Sequence, residues 1–174
     1  MNSHSWTTLV ATHAVGASLA MVLGGVQVGR RRRGDRPHRV IGRVWLALMY
    51  FTALSSFWIQ QIRPGNFSWI HALSAFTLVT LTLGLVNVRR GNIRGHAGNM
   101  IGTYAGLWGA FIGVVAVPDR LVPQAFQANW LAMAALTLLI VGVGLAFTTA
   151  ATRLLAQASP AVPAARARAG SPAS

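Results

Sequence analysis

The sequence predicts an all-α membrane protein: a four-helix transmembrane bundle made from a duplicated helical hairpin, with a fifth transmembrane helix beside it. Three observations carry that prediction. Hydrophobic residues make up 53 % of the 174 residues and charged residues only 10 %, where a soluble domain carries about 25 % charged residues. Five apolar stretches each approach the ~20 residues that a helix needs to span a bilayer. The arginines fall in short runs between those stretches, where orientation signals belong.

The first stretch runs from about Trp6 to Val28, the second from about Val40 to Ile62 and the third from about Trp69 to Val88. The fourth runs from about Asn99 to Val117 and the fifth from about Trp130 to Ala150. Together they make one transmembrane domain over residues 1–153, followed by a disordered cytoplasmic tail over 154–174 that is rich in Ala, Pro and Ser. A cleaved signal peptide is a poor reading of the first stretch. No basic segment precedes it, and Arg30 to Arg33 follow it.

Orientation follows from the arginines. The first loop and its flanks hold Arg30, Arg31, Arg32, Arg33, Arg36, Arg39 and Arg43; the third loop holds Arg89, Arg90 and Arg94; the tail holds Arg153, Arg166 and Arg168. Only Arg63 and Arg120 lie in the other two loops. Positive charge stays on the cytoplasmic side during insertion, so the N-terminus is expected outside and the C-terminus inside a bacterial cytoplasmic membrane. Trp6, Trp58, Trp69 and Trp130 then fall near the outer interface and Trp45 near the inner one, while Trp108 is expected within the bundle.

Composition also excludes chemistry. The net charge of +13 comes from 15 arginines without a lysine, and its dispersal between apolar stretches argues against nucleic-acid binding. The chain has no Cys, which removes disulfides and thiol catalysis. Asp35 and Asp119 are the only acids, so paired-carboxylate catalysis is out. Gly24-Gly25 and Gly95-x-x-Gly98 are weak helix-contact motifs in a chain with 18 glycines.

An offset of 58 residues lays His13 on His71, Arg31 on Arg89, Arg32 on Arg90, Arg36 on Arg94 and His38 on His96. Each copy is a helical hairpin with a His near one end, an arginine turn, and a second His 25 residues after the first. Two hairpins of like orientation make a bundle with pseudo-two-fold symmetry along the membrane normal. Helices 1 and 3 then share one diagonal, and helices 2 and 4 the other. His13 and His71 would lie at an outer level and His38 and His96 at an inner level, about 20 Å apart. Two imidazoles facing each other across a bundle can be the axial ligands of a b-type haem. Arg36 and Arg94 beside the inner pair would hold haem propionates.

Small residues follow the histidines at helical spacing: Gly16, Ala17, Ala20 and Gly24 after His13, Gly42 after His38, and Gly102, Thr103 and Gly106 after His96. They either pack helices closely or make room for a flat cofactor. Zinc or copper fits less well, because neither level offers enough ligands, and Met100 is expected to pack.

The turn Arg36-Pro37-His38-Arg39-Val40-Ile41-Gly42-Arg43 and the turn Arg89-Arg90-Gly91-Asn92-Ile93-Arg94-Gly95-His96, with His13 and His71, resemble an uncharacterised bacterial family of predicted membrane proteins, domain of unknown function 2306. The resemblance covers roughly residues 10–115, leaves the fifth helix outside, and implies no activity. The four histidines are also similar in arrangement to those of di-haem transmembrane b-type cytochromes, an architectural analogy.

The expected function is a small electron-transfer protein with one or two b-type haems. Its partners would be the lipid bilayer and a quinone or another redox membrane protein. The alternative is a haem-free structural or accessory subunit of a larger complex, or a small transporter. Missing intramembrane carboxylates argue against an ion-coupled transporter.

Overall fold

The computed structural model describes residues 7–59, 69–116 and 121–157. They form α1 (Thr8–Gly29), α2 (Arg36–Ser55), α3 (Trp69–Arg89), α4 (Ile93–Val115), α5 (Leu121–Ala128) and α6 (Trp130–Gln157), with a 3-10 turn over Ser56–Trp58 after α2. No strand occurs among the described residues. The architecture is the all-α, membrane-like bundle that the apolar stretches predict.

Among the described residues, four helical segments are long and apolar enough to cross a membrane: Thr8–Gly29, Arg36–Trp58, His71–Arg89 and Trp130–Leu155. α4, the predicted fourth stretch, is not in this set. α4 has the length, 23 residues, but its glycines together with Arg94, His96 and Asn99 dilute its hydropathy.

The arginine turns are helix starts rather than loops, so α2 and α4 begin earlier than their apolar residues suggest. Both turns are built alike. A glycine in the left-handed region, Gly34 at φ 80° and Gly91 at φ 76°, turns the chain without a Cβ clash. The next residue caps the new helix. Asp35 accepts from the His38 N–H at 2.9 Å, and Asn92 accepts from the Gly95 N–H at 2.9 Å. Each cap satisfies a backbone donor that the first helical turn leaves open.

α1 packs along α2 and α3 along α4 as antiparallel hairpins; α2 also touches α3, and α1 touches α4, which closes a four-helix ring. α1 and α3 therefore occupy one diagonal and α2 and α4 the other, as the duplicated-hairpin reading requires. α6 lies outside the ring against α1 and α2. The two hairpins keep nearly one register. Gln27 donates to the His38 carbonyl in the first hairpin at 2.8 Å, and the Gly84 carbonyl meets His96 Nδ1 in the second at 2.9 Å. Shifting Gln27 and His38 by 58 lands on Leu85 and His96, one residue from the observed pair.

The core holds Ala20, Leu23, Ile41, Trp45, Met49, Leu81 and Leu107, with Tyr104 and Met100 packed against it. Trp45 is thus a core residue, 5 % exposed, and not an inner-interface marker. It stands nine residues into α2, roughly 13 Å from the helix start. Trp108 is 43 % exposed and not interior, because Thr103, Tyr104 and Leu107 take the inward face of α4. Trp58 and Trp130 are exposed at helix ends. Trp6, Arg63, Asp119, Arg120 and the tail beyond Gln157 lie outside the described residues; α6 itself continues past the expected Ala150 to Gln157.

Candidate functional site

The two arginine turns place His38 and His96 at the same end of the bundle, at the starts of α2 and α4. His38 is the third residue of α2 and His96 the fourth of α4. His96 Nδ1 is 2.9 Å from the Gly84 carbonyl oxygen. A carbonyl can only accept, so Nδ1 carries a proton. Gly84 allows this approach, since a Cβ there would run into Met100. His38 Nδ1 is buried without a hydrogen-bond partner. Asp35, besides capping α2, accepts from Arg30 at 2.8 Å. Arg36 and Arg94 stand on the same end, both exposed.

At the outer end, His13 and His71 flank one segment of the chain, the end of α2. His13 Nδ1 is 2.8 Å from Ser55 Oγ. The same Ser55 Oγ lies 3.2 Å from the Thr52 carbonyl oxygen, so the hydroxyl bridges His13 and the α2 backbone. His71 is buried, 4 % exposed, with its ring centroid 5.9 Å from that of Phe57. Ser56 reaches Ser74 at 2.6 Å, tying α3 to the same segment. His13 and His71 thus flank the C-terminal end of α2 and the 3-10 turn that follows it, through Ser55 and Phe57. Ser55 and Thr52 were not singled out from sequence. The only signal was their place near the end of an apolar stretch, 42 residues from His13 in the case of Ser55.

The small residues serve close packing at most of the positions predicted. A Cβ on Gly24 would lie 2.5 Å from Tyr104 Cδ2 and 2.7 Å from Trp45 Nε1. Those two side chains use the space to donate to the Ala20 and Met21 carbonyls at 2.9 and 3.2 Å. Gly42 gives room to Gln27, and Gly16 to Phe51 and Thr52. Gly98, Gly102 and Gly106 face open space. Between α1 and α2, on the His13 side, a largely apolar groove of ≈ 360 Å³ is bordered by Ala11, Thr12, Val15, Gly16, Leu19, Leu48 and Phe51.

Among the described residues, no three of His, Cys, Asp and Glu cluster as a metal site would need. The model of a family described as predicted membrane protein, DUF2306, matches residues 10–150. The chain is a member of DUF2306. The match runs past residue 115 and takes in most of α6, so the family unit includes the last helix and is not confined to the duplicated hairpins. No curated protein and no solved structure matches this DUF2306 member significantly.

Proposed function

We propose that this DUF2306 protein is a small membrane electron carrier that holds b-type haem between paired histidines and exchanges electrons with a quinone-class partner or another redox membrane protein. The observation that carries the reading is the inner pair: His38 and His96 open α2 and α4, the two helices of one diagonal, at the same end of the bundle. The donor chemistry fits. Iron-binding imidazoles commonly fix their ring by donating the other N–H to a carbonyl, and His96 does so to Gly84. At the outer level His13 Nδ1 is hydrogen-bonded to Ser55 Oγ, which fixes that ring too. Arg36 and Arg94 supply cations for carboxylates at the inner end. A haem bound there would supply one-electron redox chemistry. The chain's own residues orient the His96 and His13 imidazoles through Gly84 and Ser55, and the packed apolar core keeps water from the bundle interior. In this reading the protein lies in a bacterial cytoplasmic membrane with its N-terminus outside, which the arginine distribution supports.

A second reading has its own observation. His13 is engaged by Ser55, and His71 packs on Phe57, so the outer pair can serve as interhelical ties in a haem-free structural or accessory subunit.

Absorption spectroscopy separates the two. Protein expressed with ample haem supply is expected to show a Soret band that His38→Ala or His96→Ala reduces. If the outer site also binds haem, His13→Ala and His71→Ala each remove a further, independent share. A colourless wild type, or a Soret band indifferent to all four substitutions, would falsify the haem reading and leave the structural one.

A further inference from the structure

We infer that the groove between α1 and α2 is a docking site for the ring of a quinone-class lipid, seated beside His13; this rests on the electron-carrier reading and gives its partner a place. The groove, ≈ 360 Å³, is at the lower end of the ~300–1,000 Å³ of small-molecule sites. Apolar residues border it apart from Thr12, whose hydroxyl is already donated to the Thr8 carbonyl, and no charged side chain does, so the occupant is neutral. It begins near Ala11 and ends near Leu19, about 5 to 17 Å from the start of α1. A tail can continue from it into the bilayer.

Beneath this groove sits an unsatisfied donor. Thr52 is 8 % exposed, and its Oγ1 has no hydrogen-bond partner. Other helical threonines behave differently: Thr12, Thr80, Thr82 and Thr137 each donate to the carbonyl four residues back. Thr52 Oγ1 lies 3.6 Å from where a Gly16 Cβ would be, so the missing side chain of Gly16 is the opening through which it is reached. The Phe51 ring covers the same point at 3.1 Å and is 42 % exposed. Exposed side chains turn on the picosecond-to-nanosecond scale, and this ring can swing aside and stack on a flat guest.

The site therefore asks for a flat, neutral ring with a carbonyl that accepts from Thr52, carried on an apolar tail. A plain acyl chain fills the walls but leaves the hydroxyl unsatisfied, which is costly in an apolar medium. On its other side the Thr52 carbonyl leads to Ser55 and His13, so a ring held here stands next to the outer histidine level.

The test titrates purified, haem-free full-length protein with decylubiquinone. Saturable binding with one ligand per chain is expected. Thr52→Val should weaken it roughly three- to tenfold, the effect of one lost hydrogen bond. Val15→Trp, at an exposed rim position, should abolish it. Leu138→Trp on the exposed face of α6 should leave it unchanged. Absence of saturable binding, or binding unaffected by Val15→Trp, overturns the proposal. Equal affinity for methyl dodecanoate, which has chain and carbonyl without a ring, reassigns the groove to acyl lipid and overturns it too. Haem-free protein keeps the two readings apart. Quinone binding to a chain that never acquires a Soret band removes the electron carrier and leaves the groove. A Soret band without quinone binding does the reverse.

Discussion

Gly24 shows how a single hydrogen atom in place of a methyl organises the centre of the bundle. Its absent side chain lets the Trp45 indole and the Tyr104 phenol reach two successive carbonyls of α1 from two different helices. Gly24→Ala forces a Cβ against both rings, 2.5 and 2.7 Å away, and should cost about 1–3 kcal/mol, as overpacking does. Gly102→Ala has open space around it and should be close to neutral. Thermal unfolding in one detergent, read as the difference between the two variants, checks this. Equal melting temperatures would mean that the contact at Gly24 does not hold the helices together. Gly24-Gly25 was legible as a helix-contact motif, but which rings fill it was not, because no local pattern records a neighbour from another helix.

At the level of elements, the two hairpin turns carry one design: a left-handed glycine, an Asx cap, and a helix that opens on arginine and histidine. Removing a cap of this type costs about 1 kcal/mol. Asp35→Ala and Asn92→Ala should each lower stability by about that amount in a denaturation series. Asp35→Asn should restore most of the loss, because the cap acceptor returns while the ion pair with Arg30 does not. If Asp35→Asn is as harmful as Asp35→Ala, the ion pair rather than the cap anchors this turn. The 58-residue repeat made the likeness of the turns readable, and the hairpin registers agree with it to within about one residue at the inner end. The starts of α2 and α4 were harder to read. Arginine and histidine interrupt the apolar signal, but the Asx residue before each helix sets its first turn.

For the molecule as a whole, thirteen of fifteen arginines sit on segments expected on one side of the membrane. A reporter active only in the cytoplasm should work when fused after Arg90 and fail when fused after Arg63. The opposite pattern would end the N-outside arrangement. A second fusion, in the segment between α4 and α5, reports whether α4 crosses. It should be silent if α4 spans despite its weak hydropathy, as its antiparallel packing along the full-length α3 suggests. Activity there would make α4 a buried helix that returns to the same side.

By itself the sequence determined the helical class, the order and approximate length of the apolar segments, the duplication, and the pairing of His13 with His71 and His38 with His96 along the chain. Those features depend on composition, on spacing and on the residues at turns, all of which are local. Only the tertiary structure decided that Trp45 is inside and Trp108 outside, that α6 rests on α1 and α2, that the outer histidines lean on α2, and that Thr52 is left without a partner. The reason is physical. In a helix surrounded by lipid every face is apolar, so the hydrophobic pattern that orients a helix at a water boundary is nearly absent. Rotation about each axis is then set by small residues, hydroxyls and close contacts between helices far apart in sequence.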